Sequence, residues 1–323
     1  GRSQAVNPLL KWAGILTFEI ILYSLLTFFG VIFNTVALWV FCFKLGKWTE
    51  TRVYMINLAL ADYTLVLILP FIMYFHYNNW PVDDFCSVIF GISSMNMPMS
   101  IGIIMLIAVD RYLAIKHPLK AKVIRSPRKA ALFCLFVWLC CLLYTIPFSL
   151  SLKGEFCFHI LSKENTALTL VRLIVFFFIP LVILLFCSVQ VIRCLRKKHN
   201  AGPHEEKLTQ KAIWVVSVNL ATFIICFLPF HLSLLFSYVA KSFGGADCEV
   251  WQAIANTIHA TALMTKLNCC LDAVCYYMVA KEFQEAAALL PPFNVMQSRS
   301  NLTQDSQLQS KTPENSQLQS LNS

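Results

Sequence analysis

Seven stretches of this 323-residue chain are each long and apolar enough to cross a bilayer, and no other feature constrains its fold as strongly. A spanning helix needs about 20 mostly apolar residues. The runs lie near 12–43, 53–77, 85–115, 130–152, 167–195, 212–240 and 249–279. Inside lipid every backbone N–H and C=O must be satisfied internally, so such runs are read as helices. Pro70, Pro98, Pro147, Pro180 and Pro229 fall within them and are expected to kink the helices, because bundle neighbours can satisfy the freed carbonyls. The predicted fold class is an all-α membrane protein, a bundle of seven transmembrane helices. Composition agrees: 58% of residues are hydrophobic and 13% charged, against about 25% charged in a soluble domain. The formal charge is +9, but the cations sit between apolar runs, which points to a bilayer and to no nucleic-acid partner.

The connections set the orientation. The first holds Lys44, Lys47 and Arg52; the third Lys116, Lys120, Lys122, Arg125, Arg128 and Lys129; the fifth Arg193, Arg196, Lys197, Lys198, Lys207 and Lys211. Loops two, four and six are far poorer in cations. By the positive-inside rule the odd loops are cytoplasmic and the N-terminus is extracellular at the plasma membrane. Residues 1–11 form a short outer segment, expected to be trimmed because the chain starts at Gly1, and 12–280 form the membrane domain. Residues 281–291 read as an amphipathic helix on the inner leaflet, with Phe283, Ala287 and Leu290 on one face and Pro291 as its stop. Residues 292–323, rich in Ser, Gln and Asn, are expected to be a disordered cytoplasmic tail.

Of 13 cysteines, three fall on the oxidising outer side of this topology: Cys86, Cys157 and Cys248. Cys86–Cys157 is the favoured disulfide, pinning loop four across the bundle mouth. Cys248 is left over, its partner expected in a missing N-terminal segment.

Ionisable residues at membrane depth are costly and usually face the bundle interior. Asp62 lies deep in span two and Asp272 deep in span seven. Asn268 stands four residues before Asp272, and Asn96 four before Ser100, so each pair shares a helix face. Converging, Asp62, Asn96, Ser100, Asn268 and Asp272 would hold a sodium ion or share a proton; otherwise they are hydrogen bonds between helices. No other cofactor is indicated. Asp110-Arg111-Tyr112 closes span three at the cytoplasmic boundary. There the acid and its neighbouring arginine can pair locally in one state and separate in another.

These motifs resemble those of the rhodopsin-like (class A) G-protein-coupled receptors. The resemblance covers residues ~12–290. It rests on Asn34, the Asp62 segment, Cys86, Asp110-Arg111-Tyr112, Trp138, Pro180, Cys226-Phe227-Leu228-Pro229 and Asp272-Ala273-Val274-Cys275-Tyr276. It implies a transmission cluster of Ile101, Pro180 and Phe223, a toggle residue at Phe227, and a cytoplasmic crevice around Arg111, Ser188 and Tyr276 that opens when helix six moves outward. It also implies heterotrimeric G proteins as partners, and arrestin through a phosphorylated tail. Four positions depart from the family pattern: Phe227 replaces the usual Trp, Ala273 the usual Pro, Ser188 the usual Tyr, and no acid stands near Thr209 to lock Arg111.

At finer grain, residues 37–42, 48–52, 125–128 and 268–285 are similar to a purinergic-like branch that includes the lysophosphatidic acid receptors. That branch implies a small acidic ligand, an aromatic acid metabolite or a lysophospholipid, and coupling to inhibitory or G13-type proteins. The branch's third-span Arg for ligand acid groups is Met97 here.

The pocket chemistry reads independently in the same direction. Ser93 stands where amine receptors carry Asp, so a protonated amine ligand is not expected. Arg172 lies in the outer half of span five. Lys266 lies six residues before Asp272, about 9 Å outward at 1.5 Å per residue. His231 follows Pro229 by two. Lys153, His159, Lys163, His76, Lys241 and His259 stand nearer the mouth. Such groups would steer and pair an anion, or, at the mouth, merely be solvated. A neutral lipid or lysophosphatidylinositol-type ligand is the alternative. Lys266 also occupies the retinal-attachment position of opsins, but span three offers Ile89, Gly91 and Ser93 instead of a counter-ion. Hydrolase, zincin and phosphate-loop motifs are absent, so an enzyme is not expected. No duplicated half points to a transporter.

Overall fold

A computed structural model gives the three-dimensional arrangement. It describes residues 8–44, 48–150, 157, 166–197, 203–243 and 247–279. The predicted amphipathic helix, the tail, Lys153 and the outermost N-terminus lie outside these residues.

Every described element is helical. α1 (Pro8–Trp39) runs into a π-helical turn at Val40–Lys44 and is followed by α2 (Glu50–Asn78) and α3 (Asp84–Lys116). A short α4 (Pro118–Ile124) precedes α5 (Pro127–Leu150). The fifth run is α6 (Thr166–Leu173), a π turn at Ile174–Phe178, and α7 (Ile179–Lys197). α8 (Pro203–Phe243) is the sixth, and α9 (Cys248–Lys266) with α10 (Asn268–Val279) the seventh.

Among the described residues, six runs are long and apolar enough to span a membrane. The seventh falls short because it is broken at Leu267 and carries Asn256, Thr257, His259, Thr261 and Lys266 along one stretch. At the break Leu267 N–H reaches back three residues to Met264 O (3.2 Å), a tighter turn than α-helix allows.

Local chemistry explains the boundaries. Thr49 caps α2 by accepting from Arg52 N–H, and Asp83 caps α3 by accepting from Cys86 N–H (2.7 Å). α2 ends at Asn79 in the left-handed region (φ 47°), which Asn tolerates well. Pro70, Pro98, Pro147 and Pro229 all sit inside continuous helices, as bundle packing permits. Pro180 behaves differently. It cannot donate to Phe176 O, and the helix before it widens into the π turn.

Small residues set the helix spacing. A Cβ on Gly30 would come within 2.6 Å of Val66, and one on Gly102 within 2.8 Å of Val137, so α1–α2 and α3–α5 approach backbone to side chain. The buried centre includes Met55, Met99, Ile101, Phe177, Phe223 and Phe227. A second cluster around Leu69, Phe75, Cys86 and Cys157 closes one end. The outward face is apolar too: Phe28, Phe136, Leu143, Phe186 and Phe236 are all exposed, which suits lipid and not water.

Candidate functional site

The expected Cys86–Cys157 disulfide forms, with Cα atoms 5.9 Å apart, and Cys157 N–H donates to Trp80 O (2.7 Å). It marks one end of the bundle, here the disulfide end; Asp110-Arg111-Tyr112 marks the other. Cys248 is a free, exposed thiol.

Below the disulfide end lies a small, partly open cavity of about 10 Å³, room for about one water, lined by Ser94, Met97, Pro98, Ile101, Tyr144, Arg172, Phe176 and His231. Helices α3, α5, α6 and α8 and the π turn supply its wall. The Arg172 guanidinium carbon lies 5.8 Å from the Tyr144 ring. His231 stacks on Phe177 with ring centroids 3.8 Å apart and planes at 4°, and its Nδ1 meets Phe227 O at 2.7 Å. A carbonyl only accepts, so Nδ1 carries the hydrogen in that bond. One cation set among aromatic walls is the chemistry that binds an anionic group with an apolar body.

Three of the residues expected around a ligand, Met97, Arg172 and His231, line this cavity, and Phe227 is buried in the adjoining core. Ser93 is not in the lining, although its neighbour Ser94 is. Lys266 and His259 are not in it either. Lys266 instead stands over the Tyr23 ring of α1 at 5.9 Å, and His259 faces Glu19 of α1. The two cations expected to share one anion pocket are therefore held apart, because α9 turns this face toward α1.

Under the cavity Ile101, Pro180 and Phe223 are all buried. Phe177 joins them, stacked on Phe223 at 5.9 Å and 8°, and Phe223 meets Phe227 edge-to-face at 5.4 Å. Sequence reasoning missed Phe177. The available signal was Phe176-Phe177-Phe178 just before Pro180, but which Phe turns inward is decided by the π turn.

Deeper still, the five oxygen-bearing residues are all buried, and contacts connect Asp62, Asn96, Asn268 and Asp272. Asn96 Nδ2 donates to Ala61 O (3.0 Å) and meets Asp62 Oδ1 at 3.3 Å. Asn268 Nδ2 donates to Asp272 Oδ2 (2.8 Å), and the Asp62 and Asp272 carboxyls are within hydrogen-bonding reach of each other. Ser100 Oγ and Asn268 Oδ1 are buried without a hydrogen-bond partner. The Asp62 and Asp272 carboxyls, with the unsatisfied Asn268 Oδ1 beside them, form a donor set suited to a hard monovalent cation or a shared proton. Around this layer Asn34 bridges α1 to Cys269 O (3.0 Å), and Trp138 Nε1 donates to Asn57 Oδ1 (3.1 Å).

At the other end the Asp-Arg pair is apart, as in the separated state expected of it. Asp110 does not bond Arg111. Its two carboxylate oxygens lie 2.6 and 2.9 Å from Nε and Nη2 of Arg125, a bidentate pair, and Arg125 Nη2 also reaches Glu50 Oε2 at 3.3 Å. Burial opposes the charge on Arg125, but the Asp110 hydrogen bond and the two acids raise its pKa above the ordinary guanidinium value. Arg111 donates to Thr51 Oγ1 (2.7 Å), and the Tyr112 ring lies 5.6 Å from Phe186. The cause is geometric. Adjacent side chains on a helix point in different directions, and Asp110 faces the loop that Arg125 terminates. Ser188 is buried with no hydrogen-bond partner for its Oγ. Tyr276 lies on α10, its side chain outside the described set.

A bundle with this disulfide, this buried oxygen layer and this Asp-Arg-Tyr end defines a class: the chain belongs to the 7 transmembrane receptor (rhodopsin family), whose family model matches residues 33–276. It is a class A G-protein-coupled receptor, a multi-pass membrane protein and not an enzyme. It is 40% identical to mouse G-protein coupled receptor 35 over 96% of this chain and 99% of that protein. It is 32% identical to chicken lysophosphatidic acid receptor 6, over 80% of this chain and 88% of that one. It is likewise 32% identical to mouse G-protein coupled receptor 55, over 79% and 83%.

Proposed function

We propose that this receptor binds a small acidic ligand, an aromatic acid or a lysophospholipid, in the cavity lined by Arg172, and signals through heterotrimeric G proteins of the inhibitory or G13 type. The observation that carries the reading is the placement of Arg172 at a cavity whose other walls are Tyr144, Phe176, Met97 and His231. A ligand carboxylate or phosphate pairs with the guanidinium, and the aromatic body packs on Phe176 and Tyr144. One relative is named for lysophosphatidic acid, itself an anion.

Binding would shift the population toward an arrangement in which α8, the sixth helix, moves outward at the Asp-Arg-Tyr end. The stacked Phe177, Phe223 and Phe227 are the side chains in its path. A sodium ion held by Asp62, Asn96, Ser100, Asn268 and Asp272 fits the two orphaned oxygens there and would favour the closed arrangement. The N-terminus is extracellular, the tail cytoplasmic, and arrestin engages phosphorylated tail residues.

The test is agonist-dependent nucleotide exchange on G proteins, with a panel of aromatic acids and lysophospholipids and matched neutral esters, on the parent and Arg172→Ala. Acids should act and esters fail, and Arg172→Ala should lose the acids. An active acid that works equally well on Arg172→Ala ends the anion-pocket reading. Esters more potent than acids would favour the neutral-lipid alternative.

A further inference from the structure

Glu19 lies on α1 near the disulfide end, and its side chain is 5% exposed. A lone carboxylate at that depth is costly unless something compensates its charge. Two histidines from two other helices face it. His76 Nδ1 of α2 stands 3.4 Å from Oε2, and His259 Nε2 of α9 stands 3.3 Å from Oε1. The imidazole rings are near-parallel, with centroids 6.4 Å apart. Oε1 is buried yet makes no hydrogen bond, so its contact with His259 is close but not aligned. The cluster is separate from the Arg172 cavity, whose lining includes none of the three.

The ionisable surroundings are few in kind. α1 adds the Tyr23 hydroxyl one turn on from Glu19, and α9 adds the Lys266 ammonium over the Tyr23 ring. α10 adds the neighbouring thiols of Cys269 and Cys270. Lys266 adds a cation near the carboxylate, and the imidazoles are the groups in direct contact with it. Among the described residues no three His, Cys, Asp or Glu side chains converge as metal ligands do. The ligand that this arrangement fits is the proton.

We propose that Glu19, His76 and His259 form a proton-binding site that clasps α1, α2 and α9 together at the disulfide end. The His76 side chain is 10% exposed and that of His259 45%, so His259 is the port through which a proton arrives from solvent. With both imidazoles neutral, the two side chains in contact with Glu19 offer it only dipoles, and Lys266 is left as its cation. Protonation turns a neutral contact into an ion pair and gives the orphaned Oε1 a charged donor. Histidine is the side chain whose ordinary titration, near pH 6.5, falls in the range of pH that cells and tissues experience. The sign follows. The clasp is present at pH values below the histidine range and is lost as pH rises through it.

The experiment uses the full receptor in lipid nanodiscs, with thermal unfolding followed by tryptophan fluorescence from pH 8.0 to 5.5. Compared are the parent, Glu19→Gln and His259→Phe. As pH falls across this range, the parent should gain thermal midpoint over Glu19→Gln by about 2 °C or more. His259→Phe, which keeps the His76 contact, should show part of that gain. Parallel midpoint curves for the parent and Glu19→Gln overturn the proposal. Should Glu19→Gln fail to fold, His259→Phe decides alone, since its ring is half exposed and the substitution is mild: a curve parallel to the parent's overturns the clasp, and a loss of the acid-side gain supports it. None of these readouts depends on the acidic-ligand reading.

Discussion

Two arginines, one toward each end of the bundle, are held in different ways. At the Asp-Arg-Tyr end Arg125 grips Asp110 with two hydrogen bonds and reaches Glu50 besides. Toward the disulfide end Arg172 stands over the Tyr144 ring and borders the cavity, while Lys266 stands over Tyr23. A cation bonded to an internal carboxylate has little left to offer an external anion, whereas one set against a ring face beside a cavity is placed to meet a ligand under the proposed reading.

Six substitutions sharpen or break that contrast. The largest effect is expected from Phe177→Ala, in the aromatic stack that connects the two ends. Removing a fully buried Phe should cost about 3 kcal/mol or more, read as a lowered thermal midpoint in nanodiscs. A midpoint within experimental scatter of the parent would mean the π turn does not pack as described. Next comes Arg172→Ala. Loss of a charge-assisted bond worth about 2–3 kcal/mol lowers acidic-agonist potency on the order of 100-fold. Lys266→Ala should leave potency within about tenfold, since Lys266 lies outside the cavity. Equal losses in the two variants would merge the two cation sites into one and erase half of the contrast.

Arg125→Ala should have a smaller effect. Its side chain is 24% exposed, so solvent screens the pair with Asp110, and about 1 kcal/mol is the reasonable scale. Releasing Asp110 should raise ligand-independent nucleotide exchange about fivefold, with Asp110→Asn acting in the same direction and the double variant adding little. Additive effects would show that the two residues act separately. Smallest is Trp138→Phe, which removes one interhelical hydrogen bond to Asn57. About 0.6 kcal/mol is typical for such a bond in a membrane, visible as a slight loss of thermal midpoint with no change in signalling.

Much of this could be read before any coordinates. The positions of six runs follow from hydropathy, although α8 starts at Pro203, well before the expected 212. The Asp62–Asp272 layer followed from polar residues at a spacing of four in apolar surroundings. Glu19 carried the same signal as Asp62, a lone acid in an apolar run, yet its importance shows only through His76 and His259, which stand 57 and 240 residues further along the chain. The Asp110–Arg125 pairing was hidden for a related reason. Sequence adjacency offers Arg111 as the partner, but helix geometry turns the two side chains apart and brings in the residue that ends α4.

By itself, then, the sequence determined the solvent, the helical class, the order of the spans and the inventory of buried polar groups. Those depend on composition and on periodicity within one run, where each residue's preference acts locally. Tertiary structure alone decided which partner each polar group meets, which of Arg172 and Lys266 borders the cavity, and which phenylalanine turns inward ahead of Pro180. Those outcomes depend on how each helix is rotated about its axis. In a bundle whose lipid face is as apolar as its core, that rotation is fixed by close packing and a few interhelical bonds and not by hydrophobicity.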